Sequence, residues 1–201
     1  MLLGICVILV LALVLISMHS RGAVKFNTDE EGKLVISDEC KFIGDGFDEK
    51  HEIGECSVAL QIIPLVKNVI EIGGGTGKVS HIINSQLKDR TQHIVMEPDA
   101  EITGTWGSYI KSNKAKFEDE YKILAKYAND LTLNDLEILK DKPDCLYVDC
   151  EGCLKDFNNT EIGKYTDNPN YVLSPNVCFH CFDFLKNSKL NKNFEIFTAK
   201  T

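Results

Sequence analysis

The sequence predicts an α/β domain built on a mostly parallel sheet. Two short apolar runs rich in β-branched residues, NVIEIG at 68–73 and QHIVMEP at 92–98, are typical of buried parallel strands. Segments with apolar residues at helical spacing alternate with such runs, which is the element order of a βαβ arrangement. A chain of 201 residues is long enough for one such domain with a sizeable core.

The helices are predicted from spacing and from their ends. The run 56–66 is expected to be helical up to Pro64, because proline removes a backbone donor and ends or kinks a helix. A second helix is expected over 78–87, and a third over 131–140 with Thr132 or Asn134 as its N-cap.

Four strands are predicted along the chain. They cover 68–73, 92–98, 121–128 and 144–149. Beyond them only 170–179 resembles a strand, and Pro175 interrupts it. The sequence therefore predicts a sheet that is incomplete in its C-terminal strands.

The N-terminus predicts a membrane anchor. Leu2 to Met18 is a run of seventeen uncharged residues, the short end of what spans a bilayer as a helix. A cleaved signal peptide is the rival interpretation, but the exit SMHSRGA offers no small-x-small cleavage pair. Arg21 and Lys25 follow the span, so the positive-inside rule favours a single-pass protein with a cytosolic domain. The predicted organisation is an anchor at 1–20, a linker at 21–40 and the α/β domain at 41–201.

Charge argues against nucleic acid as a primary partner. The net charge is −8 and the chain has only two arginines, Arg21 and Arg90, whereas nucleic-acid binders present a basic face.

A glycine-rich loop follows the first predicted strand, in VIEIGGGTGKVS at 69–80. The phosphate loop of NTPases requires a glycine where Ile72 stands and a hydroxyl residue where Val79 stands. The dinucleotide fingerprint requires a third glycine where Lys78 stands. Neither pattern fits.

The spacing that does fit is an acid followed by glycines at every second residue. This is the pattern of class I S-adenosylmethionine (SAM) methyltransferases. Glu71 is expected to reach the cationic amino group of SAM, because a carboxylate is the natural partner of a cation. Glu97, at the end of the second strand, is expected to accept hydrogen bonds from the ribose hydroxyls, as an acid does in dinucleotide sites. The members of the pattern are Glu71, Gly73, Gly75, Gly77 and Glu97.

Three further segments resemble the FkbM family of methyltransferases. They are MEPDA after the second strand, LTLNDL, and CLYVDCEGCL, and the resemblance runs from about Ile53 to Phe157. It departs from the family at Tyr147, where the family has lysine, and at Leu154, where it has an acid. Proteins of this family are class I SAM-dependent methyltransferases, many of them acting on hydroxyls of sugars or similar acceptors.

The resemblance implies further site residues. Asn129 and Asp130 would lie near the adenine, and Asp149 and Glu151 would lie beside the methyl group as catalytic residues that orient or deprotonate the acceptor. SAM is the implied cofactor, and a small molecule or glycan is the implied acceptor.

The cysteines leave a different class of protein open. Cys150 with Cys153 and Cys178 with Cys181 form two C-x₂-C pairs, a spacing compatible with structural zinc. Buried or pocket-lining thiols are the plainer interpretation, and no metal ligand set is predicted. The prediction is a SAM-dependent methyltransferase, with an inactive SAM-fold scaffold or a zinc-stabilised interaction domain as alternatives.

Overall fold

The computed structural model describes residues 30, 37–100, 105–143, 145–150, 171–173 and 195–197. The predicted anchor and most of the linker lie outside them. Within these residues, no helix has both the length and the apolar character needed to cross a membrane.

The domain is built on a six-stranded sheet whose strands are all parallel, in the order β3-β2-β1-β4-β5-β6. Its strands are β1 (Val69–Ile72), β2 (His93–Met96), β3 (Lys122–Leu124), β4 (Cys145–Val148), β5 (Tyr171–Leu173) and β6 (Glu195–Phe197). The first four are the predicted strands, and β5 lies inside the run 170–179. Strands β5 and β6 extend the sheet beyond β4. Whether the sheet lacks further C-terminal strands stays a prediction, because most residues after 150 lie outside the described part of the chain.

Three α-helices are present among the described residues: α1 (Ile53–Ile62), α2 (Lys78–Gln86) and α3 (Thr105–Lys116). The first two were predicted, although α1 begins three residues before the predicted start. The third was not predicted. The helix expected over 131–140 is instead a 3-10 turn, Leu133–Leu136, capped by reciprocal bonds between Thr132 and Asp135.

The two faces of the sheet bury different cores. Ile70, Ile94 and Leu146 point to one face, where they meet Leu131 and Leu136 from the turns after β3. The alternate residues of β1 and β4 point to the other face and pack against α1 and α2. This alternation follows from the two-residue period of a strand, and it decides which side chains face the glycine loop.

A segment that we call the strap, residues 37–52, crosses the N-terminal end of α2 and the C-terminal half of α3. Asn113 on α3 holds it with both ends of its amide: Oδ1 accepts from the Asp45 backbone N–H at 2.8 Å, and Nδ2 donates to the Asp45 carbonyl at 2.9 Å. The same Nδ2 donates to the carbonyl of Thr76 in the glycine loop at 2.8 Å. One buried amide therefore ties the strap to the loop.

Candidate functional site

The glycine loop, Gly73 to Gly77, joins β1 to α2 at the carboxyl edge of the sheet. Gly73 (φ +92°) and Gly77 (φ +85°) have left-handed backbones that side chains rarely adopt. A Cβ on Gly73 would lie 2.1 Å from the carbonyl oxygen of Asp149, the residue after β4. The loop is thus pressed against the end of the neighbouring strand, and only glycine permits that approach.

Gly75 differs from its neighbours because no contact with the described residues accounts for it. A Cβ built there meets no atom of the described residues within 4 Å, although the backbone is left-handed (φ +50°). Its backbone N–H donates to Glu97 Oε2 at 2.8 Å, and Glu97 Oε1 accepts from the Asp99 N–H at 3.1 Å. The structure therefore brings together the glycine loop and the acid after β2, and it leaves open space beside Gly75.

The other predicted residues at this edge follow their strands in the same way. Asp149 follows β4 directly, its backbone N–H donating to the Ile72 carbonyl at 2.8 Å, and it is partly buried. Asn129 and Asp130 are exposed in a 3-10 turn after β3. Glu151 lies outside the described residues. In an open parallel sheet this edge is where ligands bind.

Glu71 does not lie at this edge. Its side chain is 1% exposed, and both of its oxygens are engaged: Ser80 Oγ donates to Oε1 at 2.9 Å, and His93 Nε2 lies 2.9 Å from Oε2. Because Glu71 shares its face of β1 with Val69, the side chain enters the layer between the sheet and α2. Its assignment to a ligand amino group is a prediction that this placement does not favour.

Glu71 belongs to a buried polar chain, Ser80–Glu71–His93–Asn84–Arg90. Asn84 Oδ1 accepts from Arg90 Nε at 3.0 Å, so its Nδ2 faces His93 Nδ1 at 3.5 Å and makes that nitrogen the acceptor. His93 then carries its proton on Nε2 and donates it to Glu71. Burial raises the pKa of Glu71 to about 8 and lowers that of His93 to about 3.

Lys78, which follows the last glycine of the loop, is turned away from the loop. Its side chain is fully buried, and Nζ donates to the carbonyl oxygens of Asp48 at 3.0 Å and Glu49 at 3.2 Å. The same ammonium lies 5.4 Å from the ring centroids of both Phe42 and Phe47. Lys78 therefore anchors the strap and offers no charge to a phosphate.

Glu52 is a residue of this region that the sequence prediction missed. It is the last residue of the strap, with a left-handed backbone (φ 48°) and no side-chain capping bond to α1. Burial raises the pKa of its carboxyl group to about 8, with a further rise from the negative charge of Asp149. Its signal in the sequence was only an acid just before a helix, which is ordinary, so the backbone conformation was needed to find it.

Most of the cysteines on which the zinc alternative rests lie outside the described residues. Among the described residues no group of three or more histidine, cysteine, aspartate or glutamate side chains is arranged to hold a metal ion. Of the four cysteines in the two pairs, only Cys150 is described, and it is disulfide-bonded. A disulfide sulfur is not a thiolate ligand. Tyr147, at which the sequence departs from the motif it resembles, is fully buried.

Comparison with known proteins supports the fold. No model of a protein family matches the chain, and no curated protein matches it. Among solved structures it is similar to precorrin-6y C5,15-methyltransferase from Geobacter metallireducens GS-15, at 18% identity and a TM-score of 0.51. The similarity covers 75% of this chain and 78% of the other. At that identity the likeness establishes architecture: the domain has a Rossmann-like fold shared with a methyltransferase.

Proposed function

We propose that this domain is a SAM-dependent methyltransferase whose acceptor is a hydroxyl group of a sugar or a similar molecule. The observation that carries the proposal is the open space beside Gly75, bordered by Glu97. A glycine with a left-handed backbone and, among the described residues, no neighbour at its Cβ position leaves room for a ligand to lie against the main chain.

The polarity of the edge favours SAM over a phosphate ligand. Glu97 and Asp149 border the loop, and Glu52 is close enough for the charge of Asp149 to raise its pKa. Acids repel phosphates and attract cations, and SAM carries a sulfonium and an ammonium. Among the described residues, Lys78 is the lysine next to the loop, and it is committed to the strap.

Each polar residue at the edge then receives a role. Glu97 accepts hydrogen bonds from the ribose hydroxyls. These bonds replace the ones that it accepts from backbone N–H groups in the ligand-free protein. Asn129 and Asp130 border the adenine. Glu52 takes the part first expected of Glu71, opposite the ligand ammonium, since a nearby cation restores the charged form of a carboxyl group whose pKa is raised.

Bound SAM would supply an activated methyl group, so the protein has mainly to position the acceptor. Asp149 stands at the edge next to the glycine loop, where it can orient the acceptor hydroxyl and take its proton. Glu151 has the same proposed role from outside the described residues. The proposal also includes attachment to a membrane through the N-terminal run, with the domain in the cytosol. It further includes membership of the FkbM family, which is supported by the sequence motifs alone.

Calorimetry on the full chain in mild detergent tests the cofactor. We expect SAM and its demethylated product, S-adenosylhomocysteine, to bind, and ATP not to bind. Glu120→Gln is the matched control for Glu97→Gln. Glu120 is an exposed acid that forms an ion pair with Arg90, away from the loop. No heat from SAM or its product on folded protein would refute the proposal.

The strand order favours a second candidate. An all-parallel sheet in the order 3-2-1-4-5-6 is also that of dinucleotide-binding folds. NAD and NADH therefore belong in the same calorimetric series, and binding of either without SAM binding would replace the first candidate. Lys78 at the third glycine position and the acids at the edge weigh against it.

Activity needs a separate experiment. Labelled SAM with a panel of glycans and small hydroxyl compounds should label an acceptor, and Asp149→Asn should cut that labelling by about 10²-fold while SAM affinity stays near wild type. SAM binding with no labelled acceptor in any class would instead favour the inactive scaffold.

A further inference from the structure

Asn113 on α3 joins three segments that are distant in sequence: α3 itself, the strap and the glycine loop. The side chain is buried, and both ends of its amide are used. Oδ1 accepts from the Asp45 N–H, while Nδ2 donates to the carbonyl oxygens of Asp45 and Thr76. The orientation of the amide is fixed, because a backbone N–H can only donate and a carbonyl oxygen can only accept.

The bond to Thr76 holds the glycine loop at its turn. Residues 74–77 form this turn, which is closed by a backbone hydrogen bond of 2.8 Å between its last and first residues. Within it, the Gly75 N–H donates to Glu97 Oε2, and the Thr76 carbonyl accepts from Asn113 at 2.8 Å. The two bonds fix the two ends of the Gly75–Thr76 dipeptide, which contains the glycine with open space beside it.

The two bonds differ in what happens when a ligand arrives. The Glu97 bond is the one that the ribose hydroxyls replace in the proposed function. The amide of Asn113 is 0% exposed, so its bond to Thr76 persists in the ligand-bound protein. Holding the loop ready in this way reduces the cost of ordering it on binding.

The strap in turn holds Asn113 through a close fit against α3. Ser112 Oγ donates to the Asp45 carboxylate beside the amide. A Cβ on Gly44 would lie 2.2 Å from the Phe47 ring and 2.6 Å from Asn113 Oδ1. A side chain at Gly44 would therefore push the strap off the amide.

We infer that Asn113 is a positioning residue for the cofactor: it is held by the strap, and through the Thr76 carbonyl it keeps the glycine loop in the conformation that admits a ligand beside Gly75. The inference rests on the proposed function for the identity of that ligand. It makes the order of the strap a determinant of SAM affinity.

Asn113→Asp tests the positioning role by calorimetry with SAM on the full chain. A carboxylate of the same shape still accepts from the Asp45 N–H but cannot donate to Thr76, so we expect the affinity to fall about 10-fold or more.

Asn84→Asp is the matched control. Asn84 is also 0% exposed and lies near the C-terminal end of α2; its Oδ1 accepts from Arg90 Nε and its Nδ2 donates to the Arg90 carbonyl. Its substitution should lower Tm to a similar extent and leave the SAM affinity of the folded protein near wild type. Equal losses of affinity in both variants would overturn the inference.

Hydrogen exchange followed by NMR supplies a readout that needs no ligand. In the ligand-free chain, Asn113→Asp should speed exchange of the Gly75 and Gly77 amides about 10-fold relative to those of β1, and Asn84→Asp should leave this ratio unchanged. An unchanged ratio in Asn113→Asp would overturn the inference even if SAM affinity fell. A rise in the ratio on a chain whose wild type binds no SAM would refute the proposed function and support the positioning of the loop.

Gly44→Ala tests the part of the strap without altering Asn113, and it decides the matter if Asn113→Asp does not fold. Its Cβ should displace the strap from the amide, so SAM affinity should fall about 3-fold or more and the same two loop amides should exchange faster. Gly54→Ala is the control, because a Cβ on Gly54, in the first turn of α1, meets no atom of the described residues within 4 Å. Wild-type affinity and exchange in Gly44→Ala would overturn the coupling of strap and loop.

Discussion

Glu71 and Glu97 belong to neighbouring strands, yet they lie in two different regions of the molecule. Glu71 is the third residue of β1. Because side chains alternate between the two faces of a strand, its side chain lies on the face covered by α2. Glu97 follows the last residue of β2, where the pleat no longer applies, and it meets the glycine loop. An acid inside this buried strand becomes part of the core, whereas the acid one residue beyond the neighbouring strand lies beside the glycine loop, where we propose that the ligand binds.

The two regions also differ in how their polar atoms are satisfied. In the buried polar chain, the oxygens of Glu71 are bonded to side chains that water cannot reach. At the open edge, Glu97 accepts from two backbone N–H groups beside open space. Substitutions in the first region should therefore change stability, and substitutions in the second should change binding.

Glu71→Ala should have the largest effect. It leaves the Ser80 hydroxyl and the His93 Nε2–H buried without an acceptor and opens a cavity, so we expect the free energy of unfolding to fall by about 3–5 kcal/mol. Urea denaturation measures it. Glu120→Ala, at an exposed acid, should change it by less than about 0.5 kcal/mol. SAM affinity of the folded Glu71→Ala fraction should match wild type, and a selective loss of affinity would restore Glu71 to the ligand site.

Gly75→Val should weaken SAM binding by about 100-fold or more, because its side chain occupies the space proposed for the ligand. The left-handed backbone should also cost roughly 1–3 kcal/mol of stability. Gly75→Ala is the control, since it carries the backbone strain with far less bulk. Calorimetry with SAM should separate the two variants, and equal losses of affinity would mean that strain, not occupied space, is responsible.

Glu97→Gln should weaken SAM binding by about 1.5–3 kcal/mol, the scale of hydrogen bonds to a charged group. The amide keeps one acceptor for the loop, so the fold should be retained. Asp99→Asn is the control in the same turn. Asp99 bonds to Glu97 through its backbone N–H, so changing its side chain leaves the carboxylate that accepts from the loop intact. If both variants lose affinity equally, the turn and not the carboxylate is the determinant.

How far the sequence predicted the fold depended on the kind of signal. The apolar runs and glycine spacing located β1 to β4, α1 and α2, because period and composition report burial directly. Helix α3 was missed because Gly107 and three lysines over Thr105–Lys116 hide its narrow buried face, formed by Gly107, Ile110 and Asn113. The helix expected over 131–140 proved to be a short 3-10 turn, although its Thr132 cap was predicted.

The candidate site was predictable where the main chain defines it. Glycines at every second position and an acid after β2 are local signals, and the structure places Gly75 and Glu97 in contact. Glu71 and Glu52 were not predictable in the same way. Which carboxylate faces a ligand depends on strand register and on where the strap ends, and both are set by contacts distant in sequence such as Lys78 with Asp48.

The smallest expected effect is the pH dependence of Glu71. Burial raises its pKa from 4.5 to about 8, so the folded chain keeps a proton that the unfolded chain releases, and stability falls as pH rises through that window. His93, whose pKa is lowered from 6.5 to about 3, opposes this trend below pH 6.5. Between pH 6.5 and 8, wild type should therefore lose roughly 1 kcal/mol more stability than Glu71→Gln. Urea denaturation at both pH values measures the difference. Glutamine resembles the protonated acid and does not titrate. Because the charge of Glu71 also raises the pKa of Glu52, both proteins carry Glu52→Gln in this comparison. Parallel pH profiles would mean that Glu71 is already ionised at pH 6.5, with Ser80 and His93 stabilising its charge in the core.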